Sequence, residues 1–467
     1  MIFSLGKCFI RKFLTALLAL FFLLQNSFAY SPYSNSELEE LEKEFIQQIN
    51  QSNSVIRNPL ANQYINHLAK RLVRNTMKPI PYFFIVKSNE INAFAGPGGY
   101  IGVNSQLILA SDNESELAAV MAHEIAHVKL HHLYRIIEHS KQMRVPMLAS
   151  VLASIALGVV NPALGSGALM ASITGIAQDN INFTRASEKE ADRIGIDMLI
   201  KSGLNPEGMA AFFKKLQMSS RYYYRDNIPA ILRTHPLDED RIAEAENRSA
   251  HLPHKTYLDS VDYRFFKEIV RNSSGKNNQE LLDFYKKECR KQNSELACQY
   301  GQALTLLNLN HFSKANDLLL ALKATGQDNL YLSIARAQVD IGLKAYSQAV
   351  SQLKELYENF PDNYAVVVYY AKGLMAASQA QLAAATLLKA SRQYKNDLPI
   401  CLDLALAEAE SNRKDYAYFT QAQCELLQGR AHAAMQQLKL ALSLAKNDAM
   451  LSERIKAKMQ EIKLKLN

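Results

Sequence analysis

Tryptophan is missing from this sequence altogether, and glycine and proline are scarce, at 18 and 13 of 467 residues. A chain so poor in turn formers is neither collagen-like nor low-complexity, and it runs against an all-β architecture built on many tight turns. Cysteine is rarer still. None of the five cysteines stands in a C-x-x-C pair, which removes zinc ribbons and thioredoxin-type motifs from consideration. Charge is nearly balanced, with 53 basic and 45 acidic residues. The excess falls to five once Lys7, Arg11 and Lys12 are set aside, and the remainder holds no basic run. No nucleic-acid partner is therefore expected. What is present is a folding composition, 48% hydrophobic and 21% charged, in a chain long enough for two or three domains.

Lys7, Arg11 and Lys12 precede an apolar run from Phe13 to Leu24, and Ser27 and Ala29 supply the small residues of an A-x-A-like cleavage site. That order is the pattern of a secretory signal peptide. As a helix the run spans about 18 Å, short of the roughly 30 Å hydrocarbon core. Residues 1–29 are thus expected to be a cleaved signal peptide. Cys8 comes before the apolar run rather than after it, so a lipoprotein is not expected. Export permits disulfides among Cys289, Cys298, Cys401 and Cys424. Cys289–Cys298 and Cys401–Cys424 are the pairings nearest in sequence; two other connectivities, or four free thiols, remain open.

Apolar positions such as Leu38, Leu41, Phe45 and Ile49 make 35–78 helical. Pro81 to Lys87 reads as a strand. Ile91 to Phe94 and Tyr100 to Val103, on either side of Ala95-Gly96-Pro97-Gly98-Gly99, read as a hairpin. From Glu114 to Ile137 the pattern is helical again. Near Gln279 a period of 34 residues begins: Ala303, Ala337 and Ala371; Leu307, Ile341 and Met375; Phe312, Tyr346 and Ala380; Ala315, Ala349 and Ala383; Leu319, Leu353 and Leu387. This is the length of a tetratricopeptide unit, a helix pair that must stack on its neighbours to bury its apolar face. Ala431, Ala434 and Leu438 form a weaker copy after an irregular interval.

The chemistry lies in His123-Glu124-Ile125-Ala126-His127. Residues four apart share a helical face, so His123 and His127 can bind one zinc ion, and Glu124 can take a proton from a water on it. A metzincin would need Gly at 130 and His at 133; both are leucine. On a continuous helix His131 drifts away from the metal, which leaves His131 and His132 solvated or behind the ligands. Glu188 is the better third ligand. Asp192, four residues on, can accept the free ring N–H of a ligating histidine. Two histidines and Glu188 leave a fourth tetrahedral place for water.

These motifs resemble the metallopeptidases related to the type 1 CAAX prenyl protease and the HtpX-type membrane proteases. Asn92-Ala93-Phe94-Ala95-Gly96-Pro97-Gly98-Gly99-Tyr100-Ile101 resembles the strand segment before the zinc helix in that family, and Thr234-His235-Pro236-Leu237 with Arg241-Ile242 resembles its late histidine–arginine motif. The resemblance implies one zinc ion per subunit on His123, His127 and Glu188, with Glu124 and Asp192 as catalytic groups. It implies that His235 and Arg241 reach a developing oxyanion, or that His235 occupies the fourth zinc position. Asn92, Ala93, Phe94, Ala95 and Gly98 would bind substrate as an added strand. With the export signal and the repeats, the chain is similar to a periplasmic branch of the family that works in outer-membrane protein assembly.

The expected fold is therefore mainly α with a small β-sheet: a zincin-type metallopeptidase domain over 30–260, a linker over 261–278, and an α-solenoid of tetratricopeptide repeats over 279–467. The expected activity is zinc-dependent endopeptidase cleavage of unfolded or misassembled outer-membrane proteins in the periplasm. The repeats would bind the β-barrel assembly machinery and take no part in the chemistry. The alternative is a periplasmic chaperone or scaffold with a mainly structural zinc. Pro146 to Ala177, almost uncharged and broken at Asn161-Pro162, reads either as helices or a lid on the protease core, or as a hairpin at the membrane surface or substrate gate. The second reading would add peripheral membrane contact.

Overall fold

Pro59 decides where the first part of the chain divides. Proline fits the first turn of a helix, where its missing N–H is not needed. Asn58 ahead of it accepts hydrogen bonds from the Leu60 and Ala61 amides. The helical stretch expected over 35–78 is accordingly two helices, α1 (Asn35–Gln51) and α2 (Pro59–Val73), with a short strand β1 (Val55–Ile56) between them. The computed structural model describes residues 35–74, 76–139, 178–222, 229–252, 255–275, 277–289, 295–324 and 329–466. The expected signal peptide and the apolar stretch 146–177 lie outside these residues. Packing divides the chain into Met1–Leu41, of which only the start of α1 is described, and Glu42–Asn467, which holds everything that follows.

The chain is mainly helical, with one four-stranded sheet in the order β1-β2-β4-β3. Tyr82–Val86 (β2) carries four consecutive buried residues and pairs in parallel with Tyr100–Asn104 (β4). Ala93–Ala95 (β3) pairs antiparallel with β4 and forms an edge, so the expected hairpin is present. Its turn needs glycine: Gly98 and Gly99 sit at φ +68° and +78°, where a Cβ is disfavoured.

The helix expected over 114–137 is broken. After the short helix α3 (Ser105–Ala110) come α4 (Glu114–Lys129) and α5 (His132–His139), separated by His131 at φ +54°. Histidine is among the few residues other than glycine that enter this left-handed region with some frequency. Next are α6 (Gln178–Lys201), α7 (Glu207–Tyr222), α8 (Ala230–Thr234) and α9 (Glu239–Ala250).

The stretch 261–278, expected to be a linker, carries α10 (Val261–Ser273), whose Tyr263, Phe265, Phe266, Ile269 and Val270 are buried. Phe266 stacks on Tyr64 of α2 with ring centroids 4.4 Å apart. Helix α11 (Asn278–Glu288) leads into successive helix pairs: α12 (Glu295–Asn308) with α13 (Phe312–Ala324), α14 (Leu330–Gly342) with α15 (Tyr346–Asn359), α16 (Tyr364–Ala376) with α17 (Ala380–Gln393), and α18 (Leu398–Glu410) with α19 (Lys414–Leu427). Then come α20 (Ala431–Leu444) and α21 (Ala449–Leu466). The alanine and leucine columns of the repeat, from Ala303, Ala315 and Leu319 onward, are buried between the helices. The weaker copy at Ala431, Ala434 and Leu438 falls on the third helix after α17, where a 34-residue step would place the second or fourth. Cys289–Cys298 and Cys401–Cys424 are disulfides.

Repeats and protease share one core. A single apolar cluster runs from Ile56 through the sheet, α4 and α10 to Ala407. Helix α16 lies on α2, and the Tyr364 amide donates to Gln63 Oε1 at 3.0 Å. Further along the array, Asn50 Nδ2 and Gln51 Nε2 donate to the carbonyls of Leu427 and Gln428 at the end of α19. Among the described residues, no helix is long and apolar enough to cross a membrane.

A protein ending after Ser260 would therefore expose the face of α2 that α10 covers. It is expected to lose cooperative thermal unfolding by circular dichroism. In the full chain, Phe266→Ala is expected to destabilise by about 3–5 kcal/mol, read as a shift of the urea midpoint. A Ser260-terminated protein that melts cooperatively would show that the two halves are independent.

Candidate active site

Helix α4 is capped by Asn113, whose side chain accepts from the Glu116 amide. From Glu114 to Ala126 every residue is buried. Buried all round, the helix cannot tilt without disturbing the core, so the two histidines on it are held rigidly. Helix α6 crosses it closely. A Cβ at Gly195 would stand 2.9 Å from Met209 Cε and 3.3 Å from the His123 amide nitrogen, so a larger residue would push the helices apart at the site.

The crossing brings Glu188 and Asp192 to the histidines, and the loop after α8 brings His235. His123, His127, Glu188 and His235 each offer one ligand atom, and these atoms lie within 4.8 Å of one another. His123 Nε2 and His127 Nε2 are 3.0 Å apart. Glu188 Oε2 is 3.3 Å from His123 Nε2, and Glu188 Oε1 is 3.4 Å from His127 Nε2. His235 Nδ1 is 3.0 Å from Glu188 Oε1 and 3.3 Å from His123 Nε2. His235 Nε2 is 3.4 Å from Glu124 Oε1.

The donor set fits a cation. His123 Nδ1 lies 2.9 Å from Asp192 Oδ1, so with its N–H directed there the ring turns the lone pair of Nε2 into the group. The Nε2 atom of His127 faces the same point. Two lone pairs and a carboxylate aimed at one buried place repel unless positive charge lies between them. Glu124 Oε1 is buried and has no hydrogen-bond partner among the described residues, as a carboxylate waiting for a water or substrate proton would be.

Burial alone would lower His123, but the hydrogen-bonded carboxylates of Asp192 and Glu188 reverse it and raise the ring to about 10 in the absence of a metal. Burial drives His127 well below its ordinary range; Glu188 opposes this and the neighbouring rings reinforce it. Burial raises Glu188, but the rings of His235, His127 and His123 hold it well below the usual carboxylate range. Asp192 is likewise raised by burial and lowered, on balance, by His123 and Arg241.

Arg241 is bound to the carboxylates of the site. It is 3% exposed. Nε and Nη2 donate to the two oxygens of Asp192 at 2.7 and 2.8 Å. Nη1 donates to the Pro236 carbonyl at 2.6 Å and lies 3.1 Å from Glu188 Oε2, with Phe213 under the guanidinium. Of the expected strand-binding residues, Asn92 and Ala93 are buried while Phe94 and Ala95 are half-buried. Ala93, Phe94 and Ala95 form the edge strand β3, which packs near α4, and Gly98 is in the turn beyond it. His132 is a residue whose place the sequence left open. It stands behind His127, brought there by the helix break at His131, which no glycine or proline announced.

The sequence profile of peptidase family M48 matches residues 59–249. A beta-barrel assembly-enhancing protease of Escherichia coli K12 is 34% identical over 425 residues, covering 90% of this chain and 86% of that one. Its counterpart in Yersinia pestis is 33% identical over 427 residues, covering 90% and 87%. The metalloprotease LoiP of Escherichia coli K12 is 30% identical over 198 residues, covering 40% of this chain and 72% of that one.

Arg241→Leu would leave two buried carboxylates without their cation. The metal-free protein is expected to lose about 3–5 kcal/mol in urea unfolding, with Arg241→Lys recovering part of the loss. Unchanged stability with lost activity would instead place Arg241 on the substrate.

Proposed function

Because the chain belongs to the beta-barrel assembly-enhancing proteases of peptidase family M48, we propose that its metalloendopeptidase activity is zinc-dependent and acts in the periplasm on misassembled outer-membrane proteins. We assign His123, His127 and Glu188 to the metal, and to the repeat array the binding of the outer-membrane assembly machinery. The observation that carries the reading is the convergence of these ligand atoms beside the buried carboxylate of Glu124, whose Oε1 makes no hydrogen bond among the described residues. The nitrogen and oxygen donors suit zinc. Such an ion supplies Lewis acidity toward a carbonyl and a water.

The residues do the rest. Glu124 takes the proton of the attacking water and returns it to the leaving amine. Asp192 fixes the tautomer and orientation of the His123 ring, and Arg241 keeps Asp192 and Glu188 ionised at depth. The edge strand β3, with Asn92 and Gly98 at its two ends, accepts the substrate backbone as an added strand, so sequence selectivity is weak. A catalytic site keeps one place open for water and substrate, whereas His235 Nδ1 here stands within the ligand group. We therefore take this arrangement as a resting form from which His235 must withdraw.

The same position of His235 favours the second reading, a chaperone or scaffold with a structural four-ligand metal. A structural site has no use for Glu124, and Glu124→Gln separates the two. The variant is expected to fold, to retain metal by elemental analysis, and to degrade an unfolded outer-membrane β-barrel protein about 100- to 10,000-fold more slowly. Degradation at the wild-type rate would leave the scaffold reading standing.

A further inference from the structure

We propose that His132 is a positioning residue for His127, and that Glu190 holds His132 in the one tautomer that can do this. The inference rests on the metal reading given above and adds to it two residues outside the ligand group.

On a straight helix a residue five positions after His127 would lie about 140° around the axis, away from it. The chain does not continue straight. Helix α4 stops at Lys129, His131 takes φ +54°, and α5 begins at His132. The result puts His132 Nδ1 3.0 Å from His127 Nδ1. The His132 side chain is 1% exposed. Its other nitrogen, Nε2, lies 3.3 Å from Glu190 Oε2, which is also 3.3 Å from Arg135 Nη1.

Proton bookkeeping then leaves one arrangement. To act as a ligand, His127 must present the lone pair of Nε2, the nitrogen that lies in the group, so its proton is on Nδ1. That N–H needs an acceptor, and His132 Nδ1 is in place to be it. The proton of His132 is then on Nε2 and donates to Glu190. Each contact has one donor and one acceptor. With Glu190 gone, His132 is free to carry its proton on Nδ1, where it would meet the His127 N–H head-on. The two histidines of α4 are thus braced alike: His123 by Asp192 directly, His127 by a carboxylate acting through an intervening imidazole. Asp192 is buried deep in the core, whereas Glu190 is half-exposed on α6, which makes the second brace the weaker of the two.

The test uses the full-length protein, with zinc itself as the probe. Zinc dissociation constants are measured by competition with a chromogenic chelator, and the thermal midpoint of the metal-free protein is recorded beside them. His132→Leu is expected to weaken zinc binding about 10- to 100-fold. His132→Asn, whose Oδ1 can accept in place of Nδ1, is expected to stay within a few-fold of the wild type. Glu190→Ala, on the surface, is expected to weaken binding several-fold without moving the metal-free midpoint. Equal weakening in the leucine and asparagine variants, with an equally lowered metal-free midpoint, would reduce His132 to a packing residue and overturn the proposal. So would wild-type affinity in His132→Leu. Wild-type protein that takes up no zinc would instead overturn the functional reading on which this one stands.

Discussion

The pair of Asp192 and Arg241 is the interaction on which the site depends. It joins three helices that sequence keeps far apart: Asp192 comes from α6, Arg241 from α9, and the His123 ring they steady from α4. A bidentate contact between a carboxylate and a guanidinium fixes orientation as well as charge. Both partners are buried, so the contact sustains itself only if every remaining donor is used, and Arg241 directs Nη1 to Glu188 and the Pro236 carbonyl. The same guanidinium thereby sets the carboxylate of Glu188 and the carboxylate that orients the His123 ring. It also anchors the Pro236 backbone, next to His235.

Much of this was legible in the sequence where local spacing carries the information. His123 and His127 share a helical face by arithmetic alone, and so do Glu188 and Asp192. The 34-residue columns are local as well, since each alanine marks one close helix contact. Legibility failed where long-range packing decides. Nothing in Leu130-His131-His132 announces a break, because the left-handed turn is made by histidine. The fourth helix pair keeps Ala405 and Ala417 in register but has Lys414 and Gln421 where the columns call for apolar residues, so the period fades while the helices continue. The stretch 261–278 reads as a linker, yet the aromatic face of α10 within it is core. A sequence also cannot say which way a guanidinium points: a spacing of six from His235 to Arg241 is compatible with more than one direction.

The shared core changes how the two halves relate. Tethered by a linker, the repeats would search space independently of the protease. Packed through α2, α10 and α16, and held again where Asn50 and Gln51 meet the end of α19, they stand at a set distance from the ligand group. Array and ligand group are parts of one packed body, and close-packed interiors transmit strain. Mutations in the repeats are then not silent for the protease, even though none of the ligand residues lies in them.

Among the described residues, the buried site offers nitrogen and oxygen donors alone. X-ray absorption at the zinc edge of the purified full-length protein tests that most directly. The expected result is a shell of nitrogen and oxygen scatterers at about 2.0–2.2 Å, with the multiple-scattering signature of two or three imidazoles. A sulfur shell at about 2.3 Å, or a protein without zinc after purification in its presence, would contradict it.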